Sequence, residues 1–286
     1  MKKITFFNSA SSCLAHYKQM HWTAKCASFI RSWGTLFTFV AHKIKLIVGG
    51  VEKQMEPFTR STYFSKKRLV VCIHGYNDNP SQFKPILDAL RKKTLLETDI
   101  FIPRVLQKGS APLDAMATSI VEEITKWANT HQKDKELILL GISNGGRIAR
   151  AVETQLAHSA QSTFIHKLHF ISIVGACRGS SLVNLVNKLG FSWLLPKTIV
   201  EEMPAYSPRN QRLDKEWWEG QALGPMREYT FIASPHDWLV PNYDSSLMQV
   251  GGQNARYAIV PGHGHCSIVN AVAATVAEMI LYTETT

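Results

Sequence analysis

The apolar run Glu136-Leu137-Ile138-Leu139-Leu140 ends in Gly141-Ile142-Ser143-Asn144-Gly145-Gly146, and a helix-favouring stretch from Arg147 to Leu156 follows at once. A strand that passes through G-x-S-x-G into a helix must turn sharply at the serine, which forces that residue into a strained backbone. The residues two before and two after it have to be small, because larger side chains would collide with the strand or the helix. Gly141 and Gly145 meet that demand. On such a turn the Ser143 hydroxyl stands clear of the sheet edge, and the main-chain amide of Asn144 points to where a tetrahedral oxyanion would form. A glycine-rich turn carrying an ordinary serine fits the same pattern, so the surrounding chain has to decide.

The surroundings alternate strand with helix. Arg68 to Ile73 is a short, nearly continuous apolar run, as expected of a parallel strand buried on both faces, and it leads into the turn-rich His74-Gly75-Tyr76-Asn77-Asp78-Asn79-Pro80. An amphipathic segment begins near Gln82. Further strands are predicted over 99–103, 137–140, 168–174, 229–233 and 257–260, with helices over 113–129, 145–157 and 267–281. The pattern predicts an α/β fold, a mostly parallel sheet covered by helices on both faces.

Net charge is +10, but it is not spread evenly. Residues 1–68 hold twelve Lys and Arg against Glu52 and Glu56, while the rest of the chain holds twenty basic and twenty acidic residues. The basic field therefore belongs to an N-terminal segment, read as 1–66, and the α/β domain, read as 67–286, with twenty-two basic and twenty acidic residues, is close to neutral. Within that segment Phe29, Ile30, Trp33, Leu36, Phe37, Val40, Ile44, Ile47 and Val48 recur at three- and four-residue intervals, with Arg31, Lys43 and Lys45 between them. This is the pattern of a basic amphipathic helix over 29–48. It either packs its apolar stripe on the domain or lies on an anionic membrane surface. Three charges interrupt it too often for a transmembrane span. No recognition motif accompanies the basic residues, so a nucleic-acid partner is not expected.

Met1-Lys2-Lys3 resembles the start of a secretory signal, but the polar 8–12 stretch cuts the apolar region short. The compartment is left open between cytoplasm, membrane periphery and export. Cys13, Cys26, Cys72, Cys177 and Cys266 are odd in number and form no C-x-x-C, which argues against a disulfide framework. Nothing in the sequence bears on oligomeric state.

From about residue 67 to 283 the chain resembles serine lipases and esterases of the α/β-hydrolase superfamily. His74-Gly75-Tyr76 resembles the family's oxyanion loop, and Gly141 to Gly145 its nucleophile elbow. Ala176-Cys177-Arg178-Gly179-Ser180 is similar to a turn of many lipases, without that turn's proline and histidine. Ala233-Ser234-Pro235-His236-Asp237 resembles the loop bearing the acid, and Gly262-His263-Gly264-His265 the segment bearing the base. The order serine, acid, histidine is the family's. The resemblance implies Ser143 as nucleophile, Asp237 as acid and His265 as base, with Asp244 and His263 in reserve. It also implies an oxyanion hole from the amides of Tyr76 and Asn144. A metal reading of His263-x-His265 lacks a third ligand in any recognisable spacing, and neither a metal nor another cofactor is expected.

The fifty or so residues between the strands at 168 and 229 exceed an ordinary loop and are expected to form a lid over 178–227, with Trp217 and Trp218 adding bulk to its surface. Leu182 and Trp193 belong to an apolar series there that either lines an acyl-chain pocket or packs the cap's own core; with His74 and Gly75 they are the candidate substrate contacts. The function implied is hydrolysis of carboxylic esters, of lipids above all, through an acyl-serine. An acyltransferase with the same triad, and a non-catalytic binding protein on the same fold, are the alternatives.

Overall fold

The computed structural model describes residues 4–20, 22, 25–27, 29, 66–92, 98–129, 135–159, 163–223, 225–250 and 254–281. The amphipathic stripe expected over 29–48 lies outside the described residues, Phe29 excepted.

Strands β1 (Arg68–Ile73), β2 (Thr98–Phe101), β3 (Lys135–Ile142), β4 (Ile165–Ile173), β5 (Met226–Ala233) and β6 (Asn254–Ile259) form one sheet in the order β2-β1-β3-β4-β5-β6, every pair parallel. Every residue of β1 is buried. Alternation sends Leu69, Val71 and Ile73 into one apolar cluster and Val70 and Cys72 into another, so each face needs its own cover. On the first face lie α1 (Ala10–Gln19), α3 (Leu113–Ala128), α4 (Asn144–Ala157) and α7 (Pro208–Gly220). On the second lie α2 (Lys84–Arg91) and α9 (Ile268–Leu281). Each fully buried aliphatic side chain in these layers is worth roughly 1.5–3 kcal/mol relative to exposure.

Between β4 and β5 the chain runs through α5 (Ser181–Lys188), the 3-10 turn Ser192–Leu194, α6 (Lys197–Glu202) and α7. The first part of this insertion rests on a third, smaller apolar cluster that joins Val183, Ile199 and Met203 to Ala176, Val240 and the half-buried Tyr76. Its last part is tied down by charge. Arg147 donates to the Glu202 carbonyl oxygen at 2.5 Å, and Arg150 meets Asp214 at 2.5 Å. Trp217 is 1% exposed, as in a packed core, and its indole N–H donates to the buried Glu153 carboxylate at 2.8 Å. That bond satisfies the polar edge of the ring, which is what lets the rest of it enter the core.

The N-terminal residues join the same body. Ser9 caps α1, accepting the Ser12 amide at 3.1 Å, and Cys13 is buried in the first cluster. Phe7 forms an isolated antiparallel bridge with Tyr257 on edge strand β6.

The strand order fixes where a ligand belongs. From β1 the chain moves outward to β2, then returns to β3 on the other side of β1. The crevice beyond the carboxyl ends of β1 and β3 is therefore the switch point at which open α/β sheets bind ligands. His74 and Ser143 are the first residues past those two ends.

Candidate active site

Ser143 adopts φ 57, ψ −127 between β3 and α4. For a residue with a Cβ this is a strained backbone costing on the order of 1–3 kcal/mol. Its surroundings hold it there: its amide donates to the Ile173 carbonyl oxygen at 3.1 Å, and its carbonyl accepts the amides of Gly146 and Ala176 at 3.0 Å each. The flanking glycines are required by space. A Cβ on Gly145 would lie 1.9 Å from the Ile73 oxygen, and one on Gly141 would lie 2.5 Å from the Gly145 oxygen. Ala176 belongs to the turn singled out in the sequence, which therefore buttresses the elbow from β4.

The loop after β1 closes on the serine from the other side. A Cβ on Gly75 would come within 2.9 Å of the Ser143 Cβ and 3.3 Å of its Oγ. The Gly75 amide donates to Gln82 Oε1 at 3.1 Å, and the Gly75 carbonyl is 2.9 Å from the His74 Nδ1. His74 is buried, and burial pushes its pKa below the ordinary histidine value against the opposing pulls of that bond and Asp78. Its ring thus belongs to the loop's framework. The Tyr76 ring packs against the third apolar cluster.

Asp237 and His265 meet at the same edge of the sheet. His265 Nδ1 lies 2.9 Å from Asp237 Oδ1 and 2.8 Å from Oδ2. Asp237 sits in the loop after β5 and is 6% exposed; His265 sits in the loop between β6 and α9 and is 8% exposed. Oδ1 also accepts the amides of Leu239 and Val240 at 2.9 Å each, which fixes the carboxylate. The reserve residues are Asp244 and His263. Asp244 is half-buried in the short helix α8 (Tyr243–Ser246), and the His263 carbonyl accepts a hydrogen bond from Ser234 Oγ. His236 is buried with its pKa lowered by that burial, and its ring meets Phe29 edge-on with centroids 5.7 Å apart.

Of the other candidate contacts, Leu182 is half-buried at the start of α5 and Trp193 is 76% exposed. Leu185, Leu189, Phe191 and Leu194 are exposed with it, as are Trp238 and Leu239 in the loop after β5. Among the described residues no group of three or more His, Cys, Asp or Glu is arranged to hold a metal ion.

No protein-family model matches the chain, and no curated protein does. Among solved structures it is similar to Est1E of Butyrivibrio proteoclasticus with ferulic acid bound, at 17% identity and a TM-score of 0.50, over 76% of this chain and 89% of that one. The fold is that of the α/β-hydrolases. An extracellular α/β-hydrolase from a Paenibacillus species aligns over 74% of this chain and 97% of that one, at 14% identity and a TM-score of 0.46.

Within the α/β-hydrolase fold one part of this site escaped the sequence reading. The 3-10 turn Leu106–Gly109, after β2, reaches both the loop after β1 and the elbow: the Asn77 amide donates to the Lys108 oxygen at 2.7 Å, and Asn144 Nδ2 donates to the Gly109 oxygen at 2.9 Å. Only the glycine in Lys108-Gly109-Ser110 hints at a special backbone there, and a lone glycine is a weak signal.

Proposed function

We propose that the protein hydrolyses carboxylic esters through an acyl-Ser143 intermediate. The observation that carries this reading is the His265 ring held by the buried Asp237, at the sheet edge where the strained turn presents Ser143. With Nδ1–H directed at the carboxylate, Nε2 is the basic nitrogen and takes the serine proton as Oγ attacks the ester carbon. The resulting oxyanion accepts hydrogen bonds from the amides of Tyr76 and Asn144. Collapse breaks the carbon–oxygen bond, and the alcohol leaves with the proton from His265. Water then repeats the sequence on the acyl-enzyme, giving the acid and free Ser143. Neither metal nor organic cofactor is required by this chemistry.

The apolar side chains around the site support a lipid or lipid-like substrate. Tyr76, Val183, Ile199, Met203 and Val240 cluster above the catalytic edge, and five large apolar residues between 185 and 194 are exposed. In this reading the insertion over 178–227 is the lid. The basic excess in residues 1–68 supports contact of 29–48 with an anionic membrane.

The test is covalent labelling by a fluorophosphonate together with turnover of p-nitrophenyl esters of increasing chain length. Wild type should be labelled and active, and folded Ser143→Ala should be neither. Equal turnover by that variant would overturn the assignment. Product analysis with an added acceptor alcohol separates hydrolysis from acyl transfer. Co-sedimentation with anionic and neutral vesicles checks the membrane role, which Lys43→Ala with Lys45→Ala should weaken more than tenfold at low salt, each lysine near such a surface being worth about 1 kcal/mol. Equal binding of the two vesicle types would reject it.

A further inference from the structure

Two amides that must converge on one oxygen lie on separate pieces of chain, Tyr76 in the loop after β1 and Asn144 at the start of α4. Their spacing has to be set by something, because an oxyanion donor displaced by about 1 Å loses most of its effect. The turn after β2 touches both pieces with successive carbonyls. Lys108 O accepts the amide of Asn77, next to Tyr76, at 2.7 Å. Gly109 O accepts the side-chain Nδ2 of Asn144 at 2.9 Å.

We infer that the Asn144 side chain is a positioning residue for the oxyanion site, which it cross-braces to the Tyr76 loop through residues 107–109. The inference rests on the proposed hydrolase reading and adds to it a role for a side chain so far used only for its main-chain amide.

The turn is built to hold one shape. Gln107 (φ 48, ψ 38) and Lys108 (φ 53, ψ 35) are both left-handed without being glycine, and Gly109 follows at φ 85. Consecutive residues in that region persist only where the surroundings over-determine them. Here the Ser110 amide and hydroxyl both donate to the Gln107 oxygen, at 3.1 and 2.7 Å. Thr198 on α6 donates from its hydroxyl to the Ser110 oxygen, which roots the turn in the insertion. Gly109 leaves little room to slide: a Cβ there would sit 3.2 Å from the Tyr76 Cα and 3.5 Å from Asn144 Nδ2. Asn144 itself is 0% exposed, so its rotamer is set by packing. Among near-isosteres only the amide can do this. Aspartate would face a carbonyl with an acceptor, and alanine would leave the Gly109 oxygen without this donor.

The experiment compares wild type with Asn144→Ala and Asn144→Asp in ester turnover, and in inhibition by a trifluoromethyl ketone and its methyl ketone counterpart. The fluorinated compound binds as the tetrahedral oxyanion adduct; the methyl ketone reports ground-state binding. Each variant should lose kcat roughly 10- to 100-fold with KM within about twofold. Preference for the fluorinated inhibitor should fall by a similar factor. A merely structural asparagine would lower both inhibitors' affinities together, and that outcome, or an unchanged kcat, overturns the brace. Should neither variant fold, Gly109→Ala perturbs the turn from its other side, and a folded G109A with wild-type kcat overturns it equally. A wild type that neither turns over esters nor reacts with fluorophosphonate removes the hydrolase reading, and the brace with it; an active wild type confines any failure to the brace.

Discussion

Asp237 offers both carboxylate oxygens to a single nitrogen of His265, at 2.9 and 2.8 Å, while its Oδ1 is already held by the amides of Leu239 and Val240. The carboxylate is thus fixed by main chain before it fixes the ring. Asp237→Asn puts an amide against Nδ1 and stabilises the wrong imidazole tautomer, for which a loss on the order of 10⁴-fold in kcat/KM is expected. Asp244→Asn, which leaves the Asp237 contact in place, should stay near wild type. Turnover of p-nitrophenyl acetate by the two variants checks both, and a reversed order would transfer the role to Asp244.

Gly145 of the elbow and Gly190 after α5 separate two costs that are often merged. Gly145→Ala must move the main-chain oxygen of Ile73, which a Cβ would approach to 1.9 Å. A destabilisation of more than about 3 kcal/mol, or no folded protein, is expected. Gly190→Ala meets nothing within 4 Å and pays only for its φ of 77°, about 1–2 kcal/mol. Urea denaturation of both variants would measure the difference, and equal losses would refute the steric argument.

Acid should weaken the fold through histidines buried in the uncharged form. His169 on β4 shares one hydrogen bond with Thr230 at 2.9 Å, and its pKa is pushed down from 6.5 to about 4. Burial is the main cause; Arg256 and Lys167 act with it and Glu228 against it. Between those two values the unfolded chain binds a proton that the native state refuses, so stability falls as pH drops through that window and rises again with pH. His169 alone accounts for roughly 3 kcal/mol of that loss, and His74 and His236 act in the same direction. His169→Gln should flatten the dependence of the denaturation midpoint between pH 6.5 and 4; an unchanged slope would exclude His169 as its source.

Glu153 is 2% exposed and accepts from three side chains: Tyr229 Oη at 2.7 Å, Arg227 Nε at 3.0 Å and Trp217 Nε1 at 2.8 Å. Glu153→Ala leaves Arg227 buried without its carboxylate and should cost about 3–5 kcal/mol. Since α4 carries both Glu153 and the start of the elbow, activity and stability should fall together on warming. Thermal unfolding followed alongside esterase activity tests this, and a variant that loses activity well below its unfolding temperature would uncouple the two.

The central strands were legible because they are apolar on both faces, and a run such as Leu69 to Ile73 fits little else, whereas the edge strands β2 and β6 carry polar residues such as Asp99 and Arg256. The strand ends were less legible. β3 begins at Lys135 and β4 at Ile165, earlier than hydrophobicity suggests, because polar residues there find partners across the sheet: Glu136 pairs with Arg68 at 2.6 Å and Lys167 with Glu228 at 2.8 Å. Turn chemistry pointed to Ser143, whereas Asp237 and His265 were singled out through the family resemblance of the loops that carry them, and those two side chains meet in the structure. Local pattern placed the helix over 145–157 but could not reveal its burial: Arg147, Arg150 and Glu153 resemble a solvated face yet are buried against α6, α7 and β5. Their partners lie more than fifty positions away, beyond the reach of periodicity. The turn at 107–109 was hidden for a different reason, since a left-handed Gln or Lys carries no signature in the sequence.

The bridge between Phe7 and Tyr257 joins residues about 250 positions apart. On the ribosome, a chain emerging amino end first would hold the segment around Phe7 waiting, unpaired, until synthesis had passed Tyr257. The same wait applies to the edge of β6, which offers its backbone to any passing strand until Phe7 covers it. The bridge therefore ties an early-made segment to β6, a strand made about 250 residues later, and can form only once that strand exists.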